Sequence, residues 1–310
     1  MMGHPRLAIR RFSFVITVLF AVGFGSASHA ATHKINGDLV GKITSHTVKH
    51  DENLYDIARR YDIGIVELLA ANPGVDPWAP PKGTKLIITR AHVLPAVREG
   101  IVLNLSELRL FYFVDDKTVM TFPIGIGREG WETPLGETSI VQKREHPSWT
   151  PPNSIREENP DLPTIISAGP DNPLGDYAMS LGWPSYAIHG TNRPYGVGKR
   201  SSHGCIRMYP EDIKTLFAAA AIGTKVTVVD TPYKLGWVGD TLYLEVTPTQ
   251  TQSDAIAQYR VPHPLDIPEI YDTINATNGH ETEISWYSVD ATVARRSGIP
   301  VAIGKRTGGY

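Results

Sequence analysis

Apolar residues are spaced as in helices between residues 45 and 90, and as in strands over much of the chain after residue 98. Leu54, Ile57, Ala58 and Tyr61 fall at i, i+3, i+4 and i+7, one face of a helix. Gly64 breaks that pattern, and Val66, Leu68, Leu69 and Ala70 begin a second helix that Asn72-Pro73-Gly74 ends. Thr47-Val48-Lys49 before these helices and Lys85-Leu86-Ile87-Ile88 after them read as strands. Residues 45–90 therefore predict a small β-α-α-β unit. A linker, Val93–Arg98, follows.

Beyond it, Ile101–Leu105, Leu108–Val114 and Val119–Ile124 are rich in β-branched and aromatic residues with a period near two, and Asp115-Asp116-Lys117 makes a hairpin turn. Pro123-Ile124-Gly125-Ile126-Gly127 reads as a glycine-containing loop. Residues 143–175 are polar and proline-rich, and so long a loop in a compact domain suits a lid or substrate wall. Trp149, Trp183 and Tyr186 are candidate channel-lining residues, with Tyr186 better placed for core packing because it enters the apolar run Tyr186-Ala187-Ile188. Pro210-Glu211-Asp212 starts a helix with Ile213, Leu216, Phe217 and Ala220 on one face; Gly223 ends it, and Lys225–Val229 returns as a strand. The tail offers a strand at Thr241–Val246, a polar connector at Thr247–Ser253, a short helix at Asp290–Arg296 and a strand at Val301-Ala302-Ile303. The pattern is a mainly β chain: a β-rich domain with one supporting helix at 98–231, the βααβ unit before it, and an extension at 232–310.

Composition narrows the picture. At 310 residues with 41% hydrophobic content the chain can bury two or three ordinary cores. A net charge of −2 without charge blocks argues against nucleic acid and against a charged membrane surface. The N-terminus has the layout of an export signal: Arg6, Arg10 and Arg11, an apolar run Phe12–Phe24, and small residues in Ser28-His29-Ala30. The apolar run is shorter than the roughly 20 residues that span a bilayer. Residues 1–30 are thus expected to be removed by cleavage after Ala30, leaving an exported chain without stable membrane insertion. No cysteine follows the apolar run to take a lipid anchor.

Cys205 is the only cysteine, so no internal disulfide is available to it. His189 and His203 stand sixteen and two positions upstream, and a lone cysteine with histidines near it is a candidate nucleophile–base pair. The alternative is an inert buried thiol. Gly204 lets the backbone turn tightly and present bare N–H groups, and Arg207 adds charge that favours thiolate or holds a carboxylate. Spacing alone leaves either histidine as the base. It also leaves Arg207 as a substrate contact or a structural ion pair.

His189-Gly190-Thr191 followed by Ser202-His203-Gly204-Cys205-Ile206-Arg207-Met208 resembles the active-site signature of the L,D-transpeptidases, the YkuD-type cysteine enzymes of the bacterial cell wall. Pro123-x-Gly125-x-Gly127 with Thr133-Pro134-x-Gly136 is similar to a stretch of that family's sheet. Leu54–Tyr61 with Leu68–Pro73 resembles the LysM module, with Asp51-Glu52-Asn53 where that module usually has Gly-Asp-Thr.

The resemblance implies a periplasmic enzyme that forms a thioester on Cys205, with His189 as general base and His203 shaping the pocket. Gly190 and Ser202 would orient the base, and the backbone N–H groups of Gly204 and Cys205 would form an oxyanion hole. Arg207 and Trp149 would contact substrate. The donor would be a peptidoglycan tetrapeptide stem, and the acceptor a second diaminopimelate amine or a lysine of a Braun-type outer-membrane lipoprotein. The module would hold glycan strands. No cofactor or metal is implied. The competing readings are a cysteine carboxypeptidase or endopeptidase with water as acceptor, a metal site built from His189, His203 and Cys205, and a non-catalytic peptidoglycan-binding protein.

Overall fold

The computed structural model describes residues 31–278 and 282–307; the expected signal segment, residues 1–30, lies outside them. The chain opens with a short strand, β1 (Ala31–Lys34), and then forms the βααβ unit: β2 (Leu39–Thr47), α1 (Leu54–Arg60), α2 (Ile65–Ala71) and β3 (Lys85–Val93). β2 lies earlier than Thr47-Val48-Lys49 and pairs with β3 in a long two-stranded ribbon from Leu39↔Val93 to Thr47↔Lys85. Most of β2 faces outward, so no alternating apolar pattern marks it. Asn53 caps α1 by accepting from the Asp56 N–H at 2.9 Å, and Gly64 is the N-cap of α2. Leu54, Ile57, Ala58, Leu68, Leu86 and Ile88 form the unit's core. Glu52 binds His46, Arg60 and the Lys49 N–H, so the changed turn before α1 is locked into the module.

The second unit runs through β4 (Gly100–Asn104), β5 (Arg109–Asp115), β6 (Thr118–Pro123), β7 (Ile126–Gly127), β8 (Gly136–Glu145), α3 (Asn153–Glu158), β9 (Tyr177–Leu181), β10 (Ala187–His189), β11 (Arg200–Ser202), β12 (Ile206–Arg207), α4 (Pro210–Ala219) and β13 (Lys225–Val229). A nine-stranded sheet has the order β1-β6-β5-β4-β13-β8-β9-β10-β12, and a two-stranded pair joins β7 to β11. Alternation serves two layers, as the period of two requires. Ile101, Leu103, Leu110 and Tyr112 face the core that receives Ile213 and Leu216 of α4, whereas Val102, Phe111 and Phe113 face Val40 and Leu94. The glycine stretch expected as a loop carries β7. The segment 143–175 begins inside β8 and contains α3, so only part of it is irregular.

The tail folds as β14 (Tyr233–Val238), β15 (Thr241–Val246), α5 (Gln250–Ala257), α6 (Glu269–Asn278), β16 (Thr282–Ile284), α7 (Trp286–Arg295) and β17 (Val301–Arg306). Its four strands take the order β14-β15-β17-β16, and Leu242, Leu244, Ile270, Ile274, Val289 and Ile303 share one core. The polar stretch Thr247–Ser253 is not merely a connector: Thr249 and Gln252 form a capping box that starts α5. The last helix begins earlier than Asp290, with Ser285 as its cap. Among the described residues, no helix is long and apolar enough to cross a membrane.

A buried charged cluster joins all three units. His92 of β3 meets Glu107 after β4 (3.4 Å) and Glu245 of β15 (3.9 Å), while Lys234 of β14 pairs with the same two carboxylates at 2.8 and 3.3 Å.

Candidate active site

The apolar run Tyr186-Ala187-Ile188 places His189 at the end of β10. β12 lies parallel beside it with Ile188 opposite Ile206 and His189 opposite Arg207, so Cys205, one residue before β12, falls beside Ala187, two positions before the histidine. His189 is 3% exposed. Its Nδ1 lies 2.5 Å from the Gly190 carbonyl, and the Leu174 carbonyl also faces it. A carbonyl only accepts, so Nδ1 carries the hydrogen and Nε2 keeps the lone pair. Burial, and then the Arg207 guanidinium, lower the imidazole from its ordinary value to about 4. Cys205 is half-buried. Burial pushes its thiol up, opposed by the Ala187 N–H and by Arg207. The thiol donates to the Ser185 carbonyl at 3.4 Å. Both groups are therefore neutral near pH 7.

The structure redistributes several expected roles. Ser202 does not orient the histidine: its hydroxyl donates to the Cys205 carbonyl at 2.6 Å and accepts from the Gly204 N–H at 3.1 Å. Gly204 consequently spends its N–H inside the turn, which removes it from the expected oxyanion hole. The contact at His189 Nδ1 is instead the Gly190 carbonyl. Gly204 has φ +97, and a Cβ there would lie 2.8 Å from the Tyr186 ring, so this turn requires glycine. Tyr186 packs partly on the core, as expected, but its ring edge also lies over the cysteine turn. Trp149 forms an isolated bridge with Ile166 within the long segment.

Among the described residues, no carboxylate pairs with Arg207. Its Nη1 donates to the Ser201 carbonyl at 3.3 Å, and its buried Nε has no partner. Burial lowers its basicity. The ion-pair alternative is therefore not what the structure contains.

Sequence reasoning missed the mouth of the site. The Thr133 hydroxyl donates to the Gly204 carbonyl at 2.8 Å and accepts from the Gly127 N–H at 3.2 Å, tying the glycine strand to the cysteine turn. At Gly127 a Cβ would fall 1.8 Å from the Trp131 carbonyl oxygen, so this approach admits only glycine. The His203 ring lies edge-on to Trp131 at 4.8 Å, and its Nε2 is 3.0 Å from Glu158 of α3. Arg128 holds the same carboxylate at 2.8 and 2.9 Å. The long segment is thus pinned across the mouth. The Thr133-Pro134-x-Gly136 element was the available signal for Thr133; nothing in the sequence singled out Glu158. Among the described residues, donor atoms converge as a metal would need at His92, Glu107 and Glu245, not at His189, His203 and Cys205.

The family model for the L,D-transpeptidase (YkuD) catalytic domain matches residues 98–228, and the LysM domain model matches residues 46–89. The probable L,D-transpeptidase ErfK/SrfK of Escherichia coli is 40% identical over 92% of this chain and 94% of its own length. The probable L,D-transpeptidase YcfS of the same organism is 45% identical over 64% of this chain and 65% of its length. Among solved structures, the catalytic domain of the Enterococcus faecium L,D-transpeptidase aligns at 25% identity with a TM-score of 0.34, over 43% of this chain and 99% of its own.

Proposed function

The chain belongs to the L,D-transpeptidase family and acts on peptidoglycan, and on that premise we propose that Cys205 is its nucleophile and the Nε2 of His189 its general base. The observation that carries this reading is the pinned imidazole. With Nδ1–H held by the Gly190 carbonyl, Nε2 is the one ring atom able to take a proton, on the strand beside the cysteine turn. Attack on the carbonyl of the third stem residue, diaminopimelate, transfers the thiol proton to Nε2 and forms the C–S bond. The bond to terminal D-alanine then breaks, and Nε2 returns the proton to the departing amine. An acceptor amine next attacks the thioester, gives its proton to the same nitrogen, and releases Cys205 as the thiol.

The Cys205 N–H is the oxyanion donor in this scheme. Arg207, a cation lacking a protein carboxylate, binds a carboxylate of the stem, and His203 shapes the mouth. Acceptors are a lysine of a Braun-type lipoprotein or a second diaminopimelate. The enzyme works in the periplasm after loss of residues 1–30, with the LysM module on glycan strands. Mass spectrometry of products from a disaccharide-tetrapeptide, with and without a lysine-bearing lipoprotein peptide, tests the acceptor. A dimeric muropeptide indicates cross-linking, and an adduct formed with the peptide indicates lipoprotein attachment. Tripeptide alone in both reactions would refute transfer and make water the acceptor. A Cys205→Ser protein that is not retained on purified sacculi would remove the glycan-binding role.

A further inference from the structure

Two carboxylates from different units meet beneath the first strand. Asp62, in the turn between α1 and α2, is 2% exposed, and Asp212, in the first turn of α4, is 1% exposed. They hydrogen-bond to each other. Asp62 Oδ2 also accepts from the Ala31 backbone N–H at 3.2 Å. Asp62 Oδ1 and Asp212 Oδ2 are buried with no partner outside the pair. Two carboxyl groups left to each other in so dry a place are costly. No nearby cation hydrogen-bonds them: Arg109 pairs with Glu67 at 2.7 Å, lies 3.5 Å from the Asp62 backbone carbonyl and reaches the two carboxyls only through its field, and Arg59 pairs with Glu211 at 2.8 Å. Arg90 acts only through its field, and the Tyr209 hydroxyl donates to the Ile63 carbonyl. Burial accordingly raises Asp62 to about 6 and Asp212 well above the usual carboxylate range.

As a peptide nitrogen, Ala31 supplies one donor. Hydrolysis of the Ala30–Ala31 bond adds water across it, leaving a carboxylate on Ala30 and an amine on Ala31. With an ordinary pKa near 8, that amine takes up a proton at neutral pH and presents three N–H donors. We propose that the Asp62–Asp212 pair is a binding site for the α-ammonium group of Ala31 created by removal of the signal segment. Docking of that group fastens the LysM module, α4 and the first strand to one another.

The inference rests on cleavage after Ala30. One N–H of the ammonium keeps the oxygen already engaged, and its positive charge offsets a buried carboxyl pair that no side-chain cation hydrogen-bonds among the described residues. Register makes the site specific for this residue, because Ala31↔Thr121 pairing fixes where the nitrogen lies. A start one residue later would withdraw the amine by about 3.3 Å. The lock also bears on the active site. α4 follows the cysteine strand, and a Cβ on Gly190 would sit only 3.1 Å from Ile213 of that helix.

The test uses the whole mature chain, made with a free Ala31 amine, with the same amine acetylated, and with Gly-Ser added before it. The free amine should melt about 5 °C or more above the other two forms at pH 7. Pairing raises the amine's folded pKa, so the advantage should be fullest between about pH 6, below which Asp62 protonates, and about pH 8, and vanish as pH rises through the folded value. In Asp62→Asn the three forms should melt together. The acetylated chain retains every side chain and gives the answer even if Asp62→Asn does not fold. Equal melting of free and acetylated wild-type chains would overturn the docking. Intact mass of the exported protein separately tests the cleavage: a first residue other than Ala31 would overturn the processing and leave the in vitro comparison to judge the site.

Discussion

Protonation of the catalytic pair yields the sharpest prediction. A common scheme for cysteine acyl transfer begins from a resting thiolate–imidazolium pair, and this site disfavours it. His189 lies at about 4, and burial pushes the Cys205 thiol up. Against even an ordinary thiol, near 8.5, the ion pair is uphill by ~6 kcal/mol before the two charges attract, and burial of the thiol adds to that. Two charges in contact at about 4 Å and an effective dielectric of 20 would return at most ~4 kcal/mol. The remainder, ~2 kcal/mol or more, keeps the ion pair to a few per cent of the resting enzyme at most. The assay is alkylation of the sole cysteine by neutral iodoacetamide between pH 4 and 10. The logarithm of the rate should climb with unit slope from pH 6 to beyond 9, without a shoulder. A plateau between about pH 5 and 8, abolished in His189→Gln, would reveal a stable ion pair and refute the reasoning. If the slope holds, proton transfer accompanies attack on the substrate, and Nε2 must be free at that moment.

Two further outcomes follow from other contacts. Lys234→Met should leave Glu107 and Glu245 facing one another without their cation, costing about 3–5 kcal/mol in thermal or urea unfolding, and adding Glu107→Gln should restore most of it; an unchanged midpoint in the single variant would show that the cluster carries no net attraction. Thr133→Val strands the Gly127 N–H and the Gly204 carbonyl, a loss of about 1–3 kcal/mol, and should lower the rate of thioester formation with little change in KM; wild-type acylation would mean the cysteine turn holds its shape unaided.

The elements most legible in the sequence were those whose burial follows a simple period. β4, β5, β6, β13 and β15 bury residues in alternation or on both faces, and α1 and α4 keep one apolar face, so hydrophobic spacing located them. β2 and the start of α5 escaped because their information is not apolar. The first is a largely exposed ribbon held by its partner, and the second is fixed by the Thr249–Gln252 cap. β1 escaped because its four residues alternate between half-buried and exposed and are held by the edge of β6.

The active-site residues were legible as a set, and their division of labour was not. Histidine, cysteine, serine and arginine at this spacing announced the chemistry. Whether Ser202 serves the histidine or the cysteine depends on which way one hydroxyl turns, and it turns to the Cys205 carbonyl. Which nitrogen of His189 is free depends on a single backbone carbonyl. The charged residues of the domain junction were the least legible. Nothing in the sequence singled out His92, Glu107, Lys234 and Glu245, yet they come together from three units and bury one another. Hydrophobic patterning assumes that a charge without a neighbouring partner in sequence belongs in water, and that assumption fails where the partner arrives from another domain. The same failure hid Asp62 and Asp212. Where distant charges are brought together out of water, the structure adds most to what the sequence already implied.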